Sequence, residues 1–220
     1  MMQLSNETVD VLKNFAVINS NIAFTTDQTL KTVAVSKNLM AKATVTETFP
    51  YEFGVYDLPE FLSAMSMFDN PELTFDDSQK FVTLSDNDAS IKYFFSDVNN
   101  LVTAKNEPKL PDVVLTFTLS AQQLNSIRKA SAALKVDHLV VTVDNNGVNV
   151  TVTDPKNATS NEFRLSVQGS AKNSTADTNF KFNINNFKFN VSDKYTFEVS
   201  SKNIASVMSS DTQYWLALEK

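Results

Sequence analysis

Helix-start signals recur along this chain near residues 5, 57, 120 and 185, each preceded by a strand-like segment and followed by about three more. A recurring strand-helix-strands unit restricts the chain to folds built by repetition. In the first unit Ser5 serves as N-cap, Leu4 and Val9 form a hydrophobic staple, and Val9, Leu12, Phe15 and Ala16 make the apolar face. In the second, Asp57-Leu58-Pro59-Glu60 supplies an N-cap, an early-turn proline and a capping-box glutamate, while Leu58, Phe61, Leu62, Met65 and Phe68 face the core. In the third, Ser120 and Gln123 form another capping box ahead of Leu124, Ile127, Ser131 and Leu134. The fourth is the weakest, a short helical turn over residues 185–188.

Between these signals apolar and polar residues alternate, with β-branched and aromatic enrichment, so most of the chain reads as strand. Strands are expected at 51–56, 72–76, 81–85, 90–95, 113–119, 138–143, 148–152, 180–184, 195–199, 204–209 and 214–218. Asn145-Asn146-Gly147 reads as the tight turn of a hairpin. Residues 103–111, with Pro108, Pro111, mixed charge and no periodicity, read as a linker, which divides the chain into domains 1–108 and 109–220. The fold class is α+β and β-rich. With 42% hydrophobic residues and 17 Phe, a packed core is expected.

The residue types that chemistry needs are scarce. Zero Cys removes disulfides, thiolate catalysis and Cys-based zinc sites together. The single His, His138, begins a strand and reads as structural. Gly54, Gly147 and Gly169 are the only glycines, which leaves no phosphate-cradling loop. Asp76-Asp77 and Asp86-Asn87-Asp88 sit in expected hairpin turns, where Asp is favoured for backbone reasons. No catalytic residue, metal site or cofactor is therefore expected, and the chain reads as a protein that is not an enzyme. It has no apolar run near the roughly 20 residues of a membrane span and no signal-peptide pattern at its start, so a soluble, intracellular protein is expected.

The net charge of -6 argues against a protein that coats nucleic acid non-specifically, but the charge is unevenly placed. Residues 121–136 contain Arg128, Lys129 and Lys135 and no acid, whereas 69–97 is acid-rich with Lys80 and Lys92 as its bases. The outward face of the third helix, with Gln122, Asn125, Ser126 and Lys129, suits phosphates; a merely solvated basic face is the plainer alternative. If all the repeated helices line one side of the sheets, Lys13 and Lys188 join that face.

Leu12-Lys13-Asn14-Phe15-Ala16, Ile18-Asn19-Ser20, Tyr56-Asp57-Leu58 with Phe61-Leu62, and Ala217-Leu218-Glu219 span almost the whole chain. In their order and spacing the chain resembles the sliding clamps, the DNA polymerase processivity factors, of T-even-like bacteriophages. Ile127-Arg128 ahead of residues 143–148, and Tyr214-Trp215-Leu216-Ala217, carry a more distant similarity to the eukaryotic and archaeal clamps. The resemblance implies a two-domain clamp fold of repeated strand-helix-three-strand units, with helices lining one side of the sheets. It implies a homotrimeric ring that encircles duplex DNA without reading its sequence, tethers the DNA polymerase and is opened by an ATP-driven clamp loader. Transcription factors are further partners it suggests, a membrane is not, and the expected compartment is the cytoplasm of the infected bacterial host.

Carried over by position, the DNA-facing residues are Lys13, Arg128, Lys129, Lys135 and Lys188. The second helix, with Asp57 and Glu60 and no base, departs from that pattern. Subunit contact falls to the strands at 90–96 and 161–168, with Ile91, Tyr93 and Phe95 on one and Phe163, Leu165 and Val167 on the other. A partner-binding pocket corresponds to Leu39 and Met40 in a loop after a strand ending at Ser36, Leu110 and Pro111 of the linker, and Trp215, Ala217 and Leu218. The alternative from another class is a β-rich viral tail or capsid subunit, which shares the lack of catalytic groups but needs no helices at regular intervals.

Overall fold

The computed structural model describes residues 1–144, 147–172 and 179–219. They form two compact units, Met1–Asn106 and Glu107–Lys220.

The first unit runs α1 (Asn6–Ile18), β1 (Ile22–Phe24), β2 (Thr29–Val33), β3 (Leu39–Thr44), β4 (Phe53–Val55), α2 (Leu58–Met65), β5 (Glu72–Phe75), β6 (Phe81–Asp86) and β7 (Ala89–Phe94). Its strands make two antiparallel layers, β4-β1-β2-β3 and β5-β6-β7. Ser5 caps α1 by accepting from the Thr8 N–H, and Asp57 caps α2 by accepting from Glu60 N–H at 3.0 Å. The buried face of α1 is Thr8, Val11, Leu12, Phe15 and Ile18, rotated from the expected stripe, with Val9 and Ala16 only half-buried. Thr8 turns inward because its hydroxyl finds a buried acceptor, Glu47. The core is largely aromatic: Phe53 stacks on Phe24 at 4.5 Å and on Phe95 at 4.3 Å, with Phe49 and Phe75 alongside.

The second unit runs β8 (Val113–Ser120), α3 (Ala121–Leu134), β9 (His138–Asp144), β10 (Gly147–Val152), β11 (Phe163–Val167), β12 (Gly169–Ala171), β13 (Phe180–Asn183), β14 (Lys194–Ser200), β15 (Ile204–Ser209) and β16 (Thr212–Ala217). It too has two antiparallel layers, β12-β8-β14-β15-β16 and β11-β10-β9-β13. Phe117 stacks on Phe197 at 4.5 Å, and Phe182, Phe187, Phe189 and Tyr214 complete its core. In the hairpin joining β9 to β10, Asp144 pairs with Gly147; the expected turn residues Asn145 and Asn146 lie outside the described residues.

A fourth helix is not found among the described residues. Ile184–Asn186 is a single 3-10 turn, in which the Asn183 side chain accepts from the Asn185 N–H at 3.0 Å. Asn residues at 183, 185 and 186 compete with helix through such local bonds, and Phe187 and Phe189 are both buried, a period-two pattern that draws the chain out straight.

Candidate nucleic-acid interface and sheet edges

The basic surface of the second unit is built on α3. The full capping box forms, Ser120 accepting from Gln123 N–H at 3.1 Å and Gln123 from Ser120 N–H at 2.9 Å. Leu124 and Ile127 are buried, so the 3.6-residue period turns Gln122, Asn125, Arg128, Lys129 and Ala132 outward, all exposed. Lys135 ends the helix in the left-handed conformation, φ 56°, with its cation where the helix dipole is negative. Arg128 is anchored: its guanidinium donates to the Phe187 carbonyl, tying α3 to the chain after the 3-10 turn. Lys188 is half-buried on that same strap, not on a helix as expected.

The helices of the first unit carry a different balance. On α1, Lys13 lies 3.3 Å from Asp10, both exposed, and Glu7 shares the first turn. Such an exposed pair contributes little energy but neutralises Lys13 locally. On α2, Glu60 is unmatched by any base within the helix.

Each unit has one sheet edge closed by a chain end. Met2 and Leu73 exchange backbone hydrogen bonds of 3.1 and 2.8 Å, covering part of β5. Glu219 pairs with Lys181 on β13, and its carboxylate meets His138 Nδ1 at 2.6 Å and Asn183 Nδ2 at 3.1 Å. His138 is thus part of a structural clasp. The opposite edges, β7 and β11, are the outermost strands of their sheets with no neighbouring strand beyond them among the described residues. Unpaired N–H and C=O groups along an edge are a template for another strand.

Ile91, Tyr93, Phe163, Leu165 and Val167 point to the inner faces and are half-buried, while Phe95 falls just past β7 in the aromatic core. Tyr93 meets the Phe61 ring at 5.1 Å and donates to the Asp57 carbonyl at 3.2 Å, which fixes β7 to the start of α2. Burial, with the charges of Glu60 and Asp57, pushes its phenol up to about 12, so it stays a donor.

The residues assigned to a partner pocket are divided between the units. Leu39 and Met40 do not lie in a loop: they open β3, Met40 paired with Val33, and both are buried. In the second unit Trp215 and Leu218 are buried, Leu110 half-buried, and Pro111 and Ala217 exposed. The Pro111 carbonyl accepts from the Ser200 hydroxyl, holding the end of the linker against β14.

Among the described residues no group of His, Cys, Asp or Glu is arranged to hold a metal ion, and no helix is long and apolar enough to cross a membrane.

Comparison with solved structures gives the fold. The chain superposes on Proliferating Cellular Nuclear Antigen from Entamoeba histolytica with a TM-score of 0.72 at 14% identity, covering 97% of this chain and 95% of that one. On A. fulgidus PCNA, solved with the C-terminal region of FEN-1 bound, the TM-score is 0.73 at 13% identity over 100% and 99%. This is the sliding-clamp fold. In sequence, residues 5–107 match the family model described as DNA polymerase processivity factor, and residues 116–220 match gp45 sliding clamp, C terminal. The sliding clamp of Vibrio phage KVP40 is 29% identical over 99% of both chains, and that of Enterobacteria phage T4 is 26% identical over 64% of this chain and 62% of its own. The chain belongs to the bacteriophage sliding clamps, the processivity factors of DNA polymerase. A tail or capsid role is not favoured by these matches.

Glu47 and the Arg128 anchor escaped sequence reading. Both are contacts between residues far apart in the chain, which neither periodicity nor spacing can signal.

Proposed function

We propose that this clamp acts as a homotrimer of two-domain subunits, divided at 108/109, closed head to tail around duplex DNA. The observation that carries this is the pair of open edges, β7 in one unit and β11 in the other, on a chain whose remaining outer edges in those two sheets meet its own ends. Two unlike edges on one chain make a heterologous contact, which closes into a ring when the rotation between copies allows. Closure leaves neither of these two edges exposed.

The DNA-facing set is Lys13, Arg128, Lys129, Lys135 and Lys188, dominated by α3. A ring holds DNA by topology, so modest positive potential is enough to centre the duplex, and tight phosphate contacts are not needed. Leu39, Met40, Leu110, Pro111, Trp215, Ala217 and Leu218 serve the polymerase tail, with apolar anchors carrying the energy. An ATP-driven loader opens the ring, transcription factors use the same face, and the site of action is the cytoplasm of the infected host. The clamp itself catalyses nothing.

The test is retention. Loaded by its cognate loader on a nicked circular duplex, the protein stays bound in moderate salt and leaves once the circle is cut. Retention on the linear product, or a monomer by native mass measurement, would refute encirclement.

A further inference from the structure

We propose that β7 and β11 of adjoining copies pair antiparallel in one register, with Phe94 opposite Arg164 of the neighbouring copy and that guanidinium stacked on the Phe94 ring. The inference rests on the head-to-tail pairing proposed above and specifies its geometry.

The outer faces of the two edge strands are unlike. On β7, Ser90, Lys92 and Phe94 point outward, and Phe94 is 63% exposed. Its ring lies 5.6 Å from Phe81, and Lys92 Nζ sits 3.6 Å above the Phe81 ring. An exposed Phe94 ring, with half-buried Phe81 beside it, on a sheet that is otherwise polar outside asks for a cover. On β11 the outward residues are Arg164 and Ser166, with Glu162 just before the strand. Arg164 lies 3.6 Å from Asp144, with both side chains about half exposed. Asp144 lies on β9, two strands in from the edge, so Arg164 exchanges this weak exposed pair for the ring when the neighbouring strand docks.

Side-chain parity removes half of the possible registers, because a one-residue slip sets the inward residues of one strand beside the outward residues of the other. Of the registers that keep Ile91 and Tyr93 on the same face as Leu165 and Val167, one places Lys92 directly opposite Arg164. Like charges across a strand pair oppose assembly. Sliding two residues one way sets Ser90 opposite Arg164 and leaves 92–94 beyond the end of β11. Sliding two the other way sets Lys92 opposite Ser166, Tyr93 opposite Leu165, Ile91 opposite Val167 and Phe95 opposite Phe163. This arrangement uses nearly all of β11, takes Arg164 off the position directly opposite Lys92, and brings it onto the exposed ring of Phe94, while Lys92 keeps its place over Phe81.

A chain without cysteine makes the register directly readable. Lys92→Cys combined with Ser166→Cys, both at exposed positions, should give covalent dimers and trimers on oxidation; Lys92→Cys with Arg164→Cys should not. The reverse result overturns the register while leaving the ring standing. Cross-linking by neither pair in a protein that native mass shows to be trimeric also overturns it. A monomeric parent protein fails the head-to-tail reading itself. Thermal melting of each variant beside the parent confirms folding. As a second measure, Phe94→Ala and Arg164→Ala should each weaken trimer assembly by roughly threefold to tenfold, and the double variant by less than the product. Multiplicative losses overturn the stacking.

Discussion

Glu47 holds Thr8 at the start of α1: its carboxylate accepts the Thr8 hydroxyl at 2.5 Å and, through its other oxygen, the backbone N–H of Ser5 at 2.5 Å. Negative charge at a helix N-terminus meets the positive end of the dipole, so one side chain satisfies otherwise orphaned donors and docks the helix on the loop after β3. Burial pushes the carboxyl up, but the hydrogen bonds from Ser5 and Thr8 outweigh it and leave the group below its ordinary value.

Replacing Glu47 with Gln should therefore destabilise the protein by about 1–3 kcal/mol at neutral pH. The sign with pH follows from a folded-state value lower than the unfolded one: the contribution is complete above the unfolded carboxylate pKa and disappears as pH falls through the folded value. Melting curves at pH 7 and at successively lower pH should show the gap between wild type and Glu47→Gln closing in acid. A constant gap would mean that the carboxylate charge contributes nothing.

Gly54 lies in β4 where its carbonyl accepts from Ser96 N–H at 2.8 Å, just past the end of β7. A Cβ there would sit 2.6 Å from Leu101 Cδ1 and 2.7 Å from the Ser96 carbonyl oxygen. The leucine tip can yield, the backbone oxygen cannot. Gly54→Ala should cost about 1–3 kcal/mol and loosen the edge strand with it. Thermal melting reads the first effect and amide exchange in residues 89–96 the second; an unchanged melt would show that β4 shifts freely.

Local signals carried much of the fold into view. Caps at Ser5, Asp57 and Ser120 predict the three α-helices found among the described residues, because a cap is a contact within four residues. The same reasoning fails at 185–188, where Asn side chains that suit a cap equally suit a 3-10 turn and the alternation of Phe187 and Phe189 decides. On α1 the observed face keeps Leu12 and Phe15 but takes Thr8 and Val11 in place of Val9 and Ala16, because a buried Thr8 is polar until Glu47 is in place. Of the candidate site, the charge of α3 was legible as composition, but the fixing of Arg128 by Phe187 was not. Leu39 and Met40 are placed in a loop only by the resemblance; contacts with β2 and Ala34 across the hairpin put them in a strand.

The clasp at the chain end gives another test. Glu219→Ala removes the acceptor for Asn183 and the partner of His138, leaving its backbone bond to Lys181 unsupported. Amide exchange should rise across β13 and stay unchanged on β11, with a stability loss of about 1–2 kcal/mol. Exchange that rises equally at both edges would place the effect elsewhere than in the clasp.

Lys129 and Arg128 are adjacent bases on α3 with different surroundings, and their substitution should separate DNA engagement during loading from stability. Lys129 is exposed and caps nothing, so Lys129→Ala should leave the melt within about 0.5 kcal/mol of the parent. Ring opening sets residence on a circle, so the effect should appear in loading: the salt dependence of loader-driven loading should fall by roughly one counterion for the lost phosphate contact. Arg128→Ala removes a similar charge but also the bond to the Phe187 carbonyl, leaving that acceptor without its charged donor. It should weaken loading in salt and lower stability by about 1–3 kcal/mol together. Measuring melts and salt-dependent loading on both variants decides the matter: if Lys129→Ala leaves loading untouched at every salt concentration, α3 does not face the duplex.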